Sequence, residues 1–178
     1  MFMATEKRTL LQVGGILIGI GLLILSLRLI GEASEPLRDS QLLPVIVQYL
    51  AGDPVTAFLV AALMAWLFHS SVAAILLVAA LTARGLIPAP LGMVLVLGCN
   101  VGGGLIAFML SRGISAEART VPVGNLILRS TGAVVALAII TLARPPLDWL
   151  GDTPEHRLVH FHLLFNALLV VVGAPLAG

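Results

Sequence analysis

Long runs without a charged residue dominate the pattern of polar and apolar positions. One run covers residues 10–27, a second lies between Asp53 and Arg84, and a third covers residues 85–111. A helix needs about 20 apolar residues to cross the ~30 Å hydrocarbon core of a bilayer. The pattern therefore predicts an all-α integral membrane protein, built as a bundle of transmembrane helices.

The second run would extend about 45 Å as one straight helix, which exceeds a single crossing. His69, Ser70 and Ser71 interrupt it in the middle, and each apolar flank is too short to span a bilayer alone. We therefore predict a re-entrant helical hairpin over residues 54–83, with a polar tip enclosed by protein or by a watery cavity. The alternative is a polar kink in which the serine hydroxyls bond to carbonyls of the preceding turn.

The third run contains four glycines between residues 98 and 104. Glycine is among the weakest helix formers, so this cluster predicts a broken helix over residues 86–111. In a second interpretation the same glycines only allow neighbouring helices to approach closely.

The rest of the chain divides at charged and turn-forming residues, and residues 1–178 together are predicted to form a single membrane domain. The further segments are a first span at 10–30, an amphipathic interfacial helix at 32–53, and spans at 121–142 and 158–175.

Composition agrees with a bilayer as the surrounding solvent. The chain has 59% hydrophobic and 11% charged residues, whereas a soluble domain carries about 25% charged residues. A formal net charge of +1 without a basic run indicates no nucleic-acid partner. His156 and His160 are spaced like metal ligands, but no thiol or carboxylate lies deeper in that helix, so we expect neither a metal site nor a cofactor.

Discontinuous membrane helices often form the ion sites of transporters, because they free backbone groups from helical hydrogen bonds. Ser70 and Ser71 would begin the second half-helix, where hydroxyls, backbone N–H groups and the helix dipole favour an anion such as phosphate, next to His69. Asn100, with carbonyls freed near Gly102, offers uncharged oxygen ligands for sodium. Ser71 and Asn100 are thus the candidate sodium ligands.

Three motifs resemble those of the sodium/phosphate cotransporter family, the type II symporters, in their bacterial branch. Residues 68–74 (FHSSVAA) resemble its Gln-Ser-Ser-Ser-Ala-Thr-Thr tip, with fewer hydroxyls. Residues 98–102 (GCNVG) resemble its Gly-Ala-Asn-Ile-Gly motif, and residues 161–166 (FHLLFN) its His-Leu-Leu-Phe-Asn helix. The resemblance covers nearly the whole chain and implies one half, the second repeat, of an inverted-repeat transporter.

Residues 124–129 resemble a first copy of that last motif, with Asn125 in the histidine place and Arg129 in the asparagine place. The pairs Asn125 with Arg129 and His162 with Asn166 are four residues apart and share a helix face. We expect Arg129 to supply the positive charge that the serine-poor tip lacks. Alternatively, its guanidinium extends to the interface, and His162 and Asn166 serve only in helix packing.

The resemblance implies sodium-dependent phosphate symport by alternating access, across the plasma membrane of a bacterium (the inner membrane), in a multi-pass protein. Inorganic phosphate, sodium and the lipid bilayer are the expected partners, with sodium as coupling ion. A second repeat, from a longer parent chain or from a homodimer, would complete the site. The alternative is a non-transporting, degenerate repeat that acts as a scaffold. An enzyme is not expected, because Ser70 lacks the flanking pattern of an activated serine.

Overall fold

Residues 2–176 are described by the computed structural model, and they are almost entirely helical, without a β-strand among them. Seven α-helices follow one another along the chain. These are α1 Phe2–Arg38, α2 Leu42–Gly52, α3 Pro54–Leu67, α4 Ser71–Ala83, α5 Ala89–Leu110, α6 Ala116–Ala138 and α7 Pro154–Gly173.

Among the described residues, four helical stretches are long and apolar enough to cross a bilayer. They are Thr9–Ala33, Ala89–Gly113, Ala116–Ala143 and Pro154–Gly173. A bent pair, α2 with α3, raises the number to five if it counts as one span. The expectation of an all-α integral membrane protein is therefore confirmed.

Helix α1 forms a compact unit of its own, and the other helices form a second unit from Ser40 onwards. The boundary expected between a span at 10–30 and an interfacial helix at 32–53 is wrong, because α1 continues to Arg38 and α2 begins only at Leu42. Proline is tolerated in the first turn of a helix, where its missing N–H would have no helical partner. Pro44 lies there in α2.

Asp53 separates α2 from α3, whose axes differ in direction by 113°. Its carboxylate caps α3, accepting from the backbone N–H of Thr56 at 3.1 Å and from the Thr56 hydroxyl at 2.6 Å. Such a cap satisfies N–H groups that have no partner within the helix. The sharp bend is thus fixed by the residue that begins the next helix.

Helix α5 lies at the centre of this unit and is continuous. The break expected around residues 98–104 is absent, since α5 runs without interruption from Ala89 to Leu110. A Cβ atom at Gly98 or Gly102 would overlap the carbonyl oxygens of Phe58 and Ala62 on α3. Close backbone packing offsets the low helix propensity of these glycines. They allow neighbouring helices to approach closely, as the second interpretation of the sequence had it.

Contacts along α5 define the direction of its neighbours. Phe58 faces Gly98 and Ala62 faces Gly102, so α3 runs parallel to α5. Ser71 faces Gly103, whereas Thr82 faces Gly92, so α4 runs antiparallel to α5. Helices α3 and α4 therefore form a hairpin whose turn lies beside the second half of α5. That this hairpin re-enters the same face of the bilayer stays a prediction.

Helices α6 and α7 cover the remaining sides of α5. Gly104 lies against Leu126 of α6, and Gly92 lies against Leu158 of α7, which is fully buried. The span expected at 121–142 is α6 with a π-helical turn, Ile139–Ala143, and the one expected at 158–175 begins earlier, at Pro154. This arrangement brings polar side chains of three helices together.

Candidate functional site

The Asn100 amide forms the centre of a polar cluster of side chains from α5, α6 and α7. Asn100 is 1% exposed. Its Nδ2 donates to the Val96 carbonyl at 2.9 Å and lies 3.2 Å from Nδ1 of His162. Its Oδ1 accepts from Nη1 of Arg129 at 3.1 Å and from Nδ2 of Asn166 at 3.2 Å. Both N–H groups and both lone pairs of the amide are therefore used.

Arg129 reaches this cluster from α6. Its Nε donates to Oδ1 of Asn125, one helical turn earlier, at 3.2 Å. Its aliphatic part crosses α5 at Gly104, where a Cβ atom would lie 3.5 Å from Cδ of the arginine. Nη1 of the guanidinium donates to the buried Asn100, and the depth of this side chain in the membrane stays a prediction. Gly104 was not predicted as a site residue, although it follows Asn100 by four residues and therefore lies on the same helix face.

No carboxylate of the described residues pairs with Arg129, since the ion pairs found there join Arg28 to Glu32 and Arg157 to Asp148. A guanidinium has five N–H donors, and the contacts with Asn100 and Asn125 use two of them. Three donors and a full positive charge are left for a further partner. This arrangement can bind an anion.

His162 and Asn166 complete the cluster from α7. Nδ2 of Asn166 lies 3.1 Å from Nδ1 of His162 and donates to the His162 carbonyl at 2.8 Å. Both N–H groups of Asn166 are used by Oδ1 of Asn100 and the His162 carbonyl, so the donor at Nδ1 of His162 is Nδ2 of Asn100. In the tautomer that accepts this bond, Nε2 carries the ring proton and gives the cluster another donor.

The hairpin turn holds the other predicted residues. Oγ of Ser70 accepts from the backbone N–H of Ala73 at 3.1 Å, so Ser70 is the N-cap of α4 and does not bond to a carbonyl of the preceding turn. His69 is exposed and has a positive φ of 51°. Ser71 lies against α5, where a Cβ atom at Gly103 would be 2.8 Å from its Oγ.

The candidate residues thus fall into two groups, which α5 connects. One group is the polar cluster, defined by Asn100, Asn125, Arg129, His162 and Asn166. The other is the hairpin tip, which packs one turn along α5 from Asn100.

Gly102 belongs to neither group, because it packs against the backbone of α3. No group of three or more potential metal ligands occurs in the part of the chain that the structure describes. A cavity of about 610 Å³ near the N-terminal end of α5, lined by Pro88, Val94 and Arg144 among others, includes none of the candidates.

In membrane proteins, an ionisable side chain among apolar helices marks a candidate substrate or ion pathway. Residues 39–172 match the family described as Na+/Pi-cotransporter, and the chain belongs to that family.

Known proteins align over nearly the whole chain. The "Putative inorganic phosphate export protein YjbB" of Escherichia coli (strain K12) is 33% identical over 174 residues, which are 98% of this chain and 32% of that protein. The protein of the same name from Salmonella typhimurium is 33% identical over 176 residues, 99% of this chain and 32% of its own. "Uncharacterized protein YqeW" of Bacillus subtilis is 23% identical over 178 residues, all of this chain and 58% of that protein.

The chain therefore spans about a third of the length of the YjbB proteins that it matches. No solved structure matches it.

Proposed function

We propose that this chain provides one repeat of a sodium-coupled phosphate transporter, which works by alternating access across the plasma membrane of a bacterium. The observation that carries the proposal is the half-buried guanidinium of Arg129, which donates to the buried Asn100 and has no carboxylate partner among the described residues. An arginine at membrane depth costs at least about 2.5 kcal/mol unless its charge is compensated. An anionic substrate compensates that charge.

Phosphate fits the donors that surround this cation. Guanidinium groups bind phosphate oxygens through parallel N–H bonds, which are stronger than hydrogen bonds between neutral groups. Arg129 has three N–H groups left for such oxygens, and the Nε2–H of His162 adds a neutral donor. Ser71, at the N-terminal end of α4, packs on α5 three residues beyond Asn100 and would add its hydroxyl and backbone N–H groups to the same anion.

A second repeat is needed, because the candidate residues of one repeat cannot enclose a substrate on every side. Family membership and the greater length of the YjbB proteins support a second repeat within a longer parent chain. A second copy of this chain, related by two-fold symmetry, is the other source of such a repeat.

The direction of transport has to be measured. The family is described as a sodium cotransporter, whereas the YjbB relatives are named for export. Labelled phosphate flux should therefore be measured in both directions in proteoliposomes, with a sodium gradient and with choline in its place.

Arg129→Gln removes the cation and should lower the phosphate flux by roughly tenfold or more, since charged hydrogen bonds to the substrate are lost. Arg112→Gln is the matched control, because Arg112 is exposed in the turn after α5. Equal flux in the Arg129→Gln variant and the unmodified protein would contradict the proposal.

The alternative function, a degenerate repeat that only scaffolds its partner, is favoured by the hairpin tip. Val72, Ala73 and Ala74 carry no hydroxyl, and the Ser70 hydroxyl is used as a helix cap. A scaffold would fold and assemble normally, and no variant of the polar cluster would change phosphate binding.

A further inference from the structure

The oxygen of the Asn100 side chain, which the sequence suggested as a sodium ligand, already has two donors. Nη1 of Arg129 lies 3.1 Å from it and Nδ2 of Asn166 lies 3.2 Å from it. A carbonyl oxygen has two lone pairs, so a metal cation could bind here only after displacing one of these donors.

We propose that the guanidinium of Arg129 takes the place of a coupling cation in this repeat, so that its phosphate site forms without sodium. This inference rests on the proposed function, in which the polar cluster binds phosphate. Coupling to sodium would then depend on the other repeat alone.

The surroundings of the guanidinium are those of a cation that is bound by neutral oxygens. The guanidinium donates hydrogen bonds to two amide oxygens, Oδ1 of Asn125 on its own helix and Oδ1 of Asn100 on α5. Oxygen ligands of this kind suit hard cations. Gly104 leaves the space through which the side chain reaches them.

Electrostatics oppose sodium as a second cation in the same place. A sodium ion at Asn100 would lie a few ångströms from the guanidinium, and like charges repel strongly where water is scarce. No acidic side chain of the described residues offsets the charge of Arg129. One fixed cation therefore fills the position, and the phosphate anion balances it.

Phosphate binding to the purified 178-residue chain in lipid nanodiscs tests this inference. Affinities are compared in sodium and in choline at equal ionic strength, with the thermal unfolding midpoint as the measure of folding. The unmodified chain should bind phosphate with nearly the same affinity in both salts, with a difference of less than about twofold.

Arg129→Met removes the charge and all five donors, so its phosphate affinity in choline should fall by roughly tenfold or more. Sodium should then restore part of that affinity, because Oδ1 of Asn100 and Oδ1 of Asn125 become available. Arg129→Lys keeps a cation and should stay independent of sodium, even if the Met variant does not fold. Arg112→Met, in the exposed turn, is the control for a lost arginine.

The possible results are distinguishable. Phosphate binding by the unmodified chain in sodium alone would overturn this inference and leave the proposed function standing. An Arg129→Met variant that folds but gains no response to sodium would also overturn it. Absence of phosphate binding in both salts, from a chain that unfolds cooperatively, would overturn this inference, whereas the proposed function is decided by the flux of the Arg129→Gln variant.

Discussion

Nδ2 of Asn166 on α7 and Oδ1 of Asn100 on α5 lie 3.2 Å apart, and the same oxygen accepts from Arg129. One atom thus connects three helices. A change in the charge of residue 166 therefore changes the electrostatic potential at the guanidinium, because both side chains contact that oxygen.

Asn166→Asp tests whether the cluster binds an anion through the uncompensated charge of Arg129. The new carboxylate has almost the shape of the amide and brings a negative charge to the oxygen that Arg129 contacts, but it cannot donate to Oδ1 of Asn100 or to the His162 carbonyl, so the thermal unfolding midpoint should fall. Phosphate affinity should decrease by roughly tenfold or more, because the cation is already neutralised. Calorimetric titration of phosphate measures this.

Asn166→Leu is the uncharged comparison. It removes the donor to Asn100 and should cost about 1–3 kcal/mol of stability, since a buried acceptor loses a partner. If the Leu and Asp variants bind phosphate equally well, neutralisation of Arg129 does not explain the effect.

Gly102→Ala should affect folding and not the intrinsic affinity for phosphate. Its Cβ atom would overlap the carbonyl oxygen of Ala62 on α3, and overpacking of this kind costs about 1–3 kcal/mol. Gly124→Ala on α6 is the control, because no atom lies within 4 Å of its added Cβ. Thermal unfolding in detergent compares the two, and equal midpoints would contradict close packing of α3 on α5.

Ser70 tests whether the hairpin tip acts as a helix cap or as a ligand. Ser70→Ala removes the acceptor for the N–H of Ala73 and should lower stability by about 1 kcal/mol. Ser70→Asp keeps a good cap and should retain the stability, but its negative charge should weaken phosphate binding if the tip faces the anion. If the Ser70→Asp variant binds phosphate as tightly as the unmodified protein, the anion lies away from the tip.

Charge-free runs predicted the apolar parts of the helices and the hairpin turn, but not where α1 ends and α2 begins. They could not predict that α5 is continuous, because a glycine cluster is compatible both with a break and with close packing. The decision lies in the partner helix, where Ala57, Ala61 and Ala65 are fully buried at a spacing of four. That stripe of small residues in α3 is the signal in the sequence that complements Gly98 and Gly102.

The polar cluster was predictable only in part. A spacing of four placed Asn125 with Arg129, and His162 with Asn166, on shared helix faces. Which faces meet depends on the packing of α6 and α7 around α5, and a single sequence does not record helix packing. The hydrogen bonds that use the Asn100 amide completely are therefore a result of the structure.

The hydrogen bond between Arg129 and Asn100 also bears on the electrical balance of transport. A dissolved sodium ion crosses the membrane with its phosphate, whereas a guanidinium stays attached to its helix. In the arrangement that we propose, the cation of this repeat does not travel with the phosphate. A membrane potential of 100 mV acts on each charge that moves across it with about 2.3 kcal/mol. Phosphate movement through this repeat should therefore depend on the membrane potential.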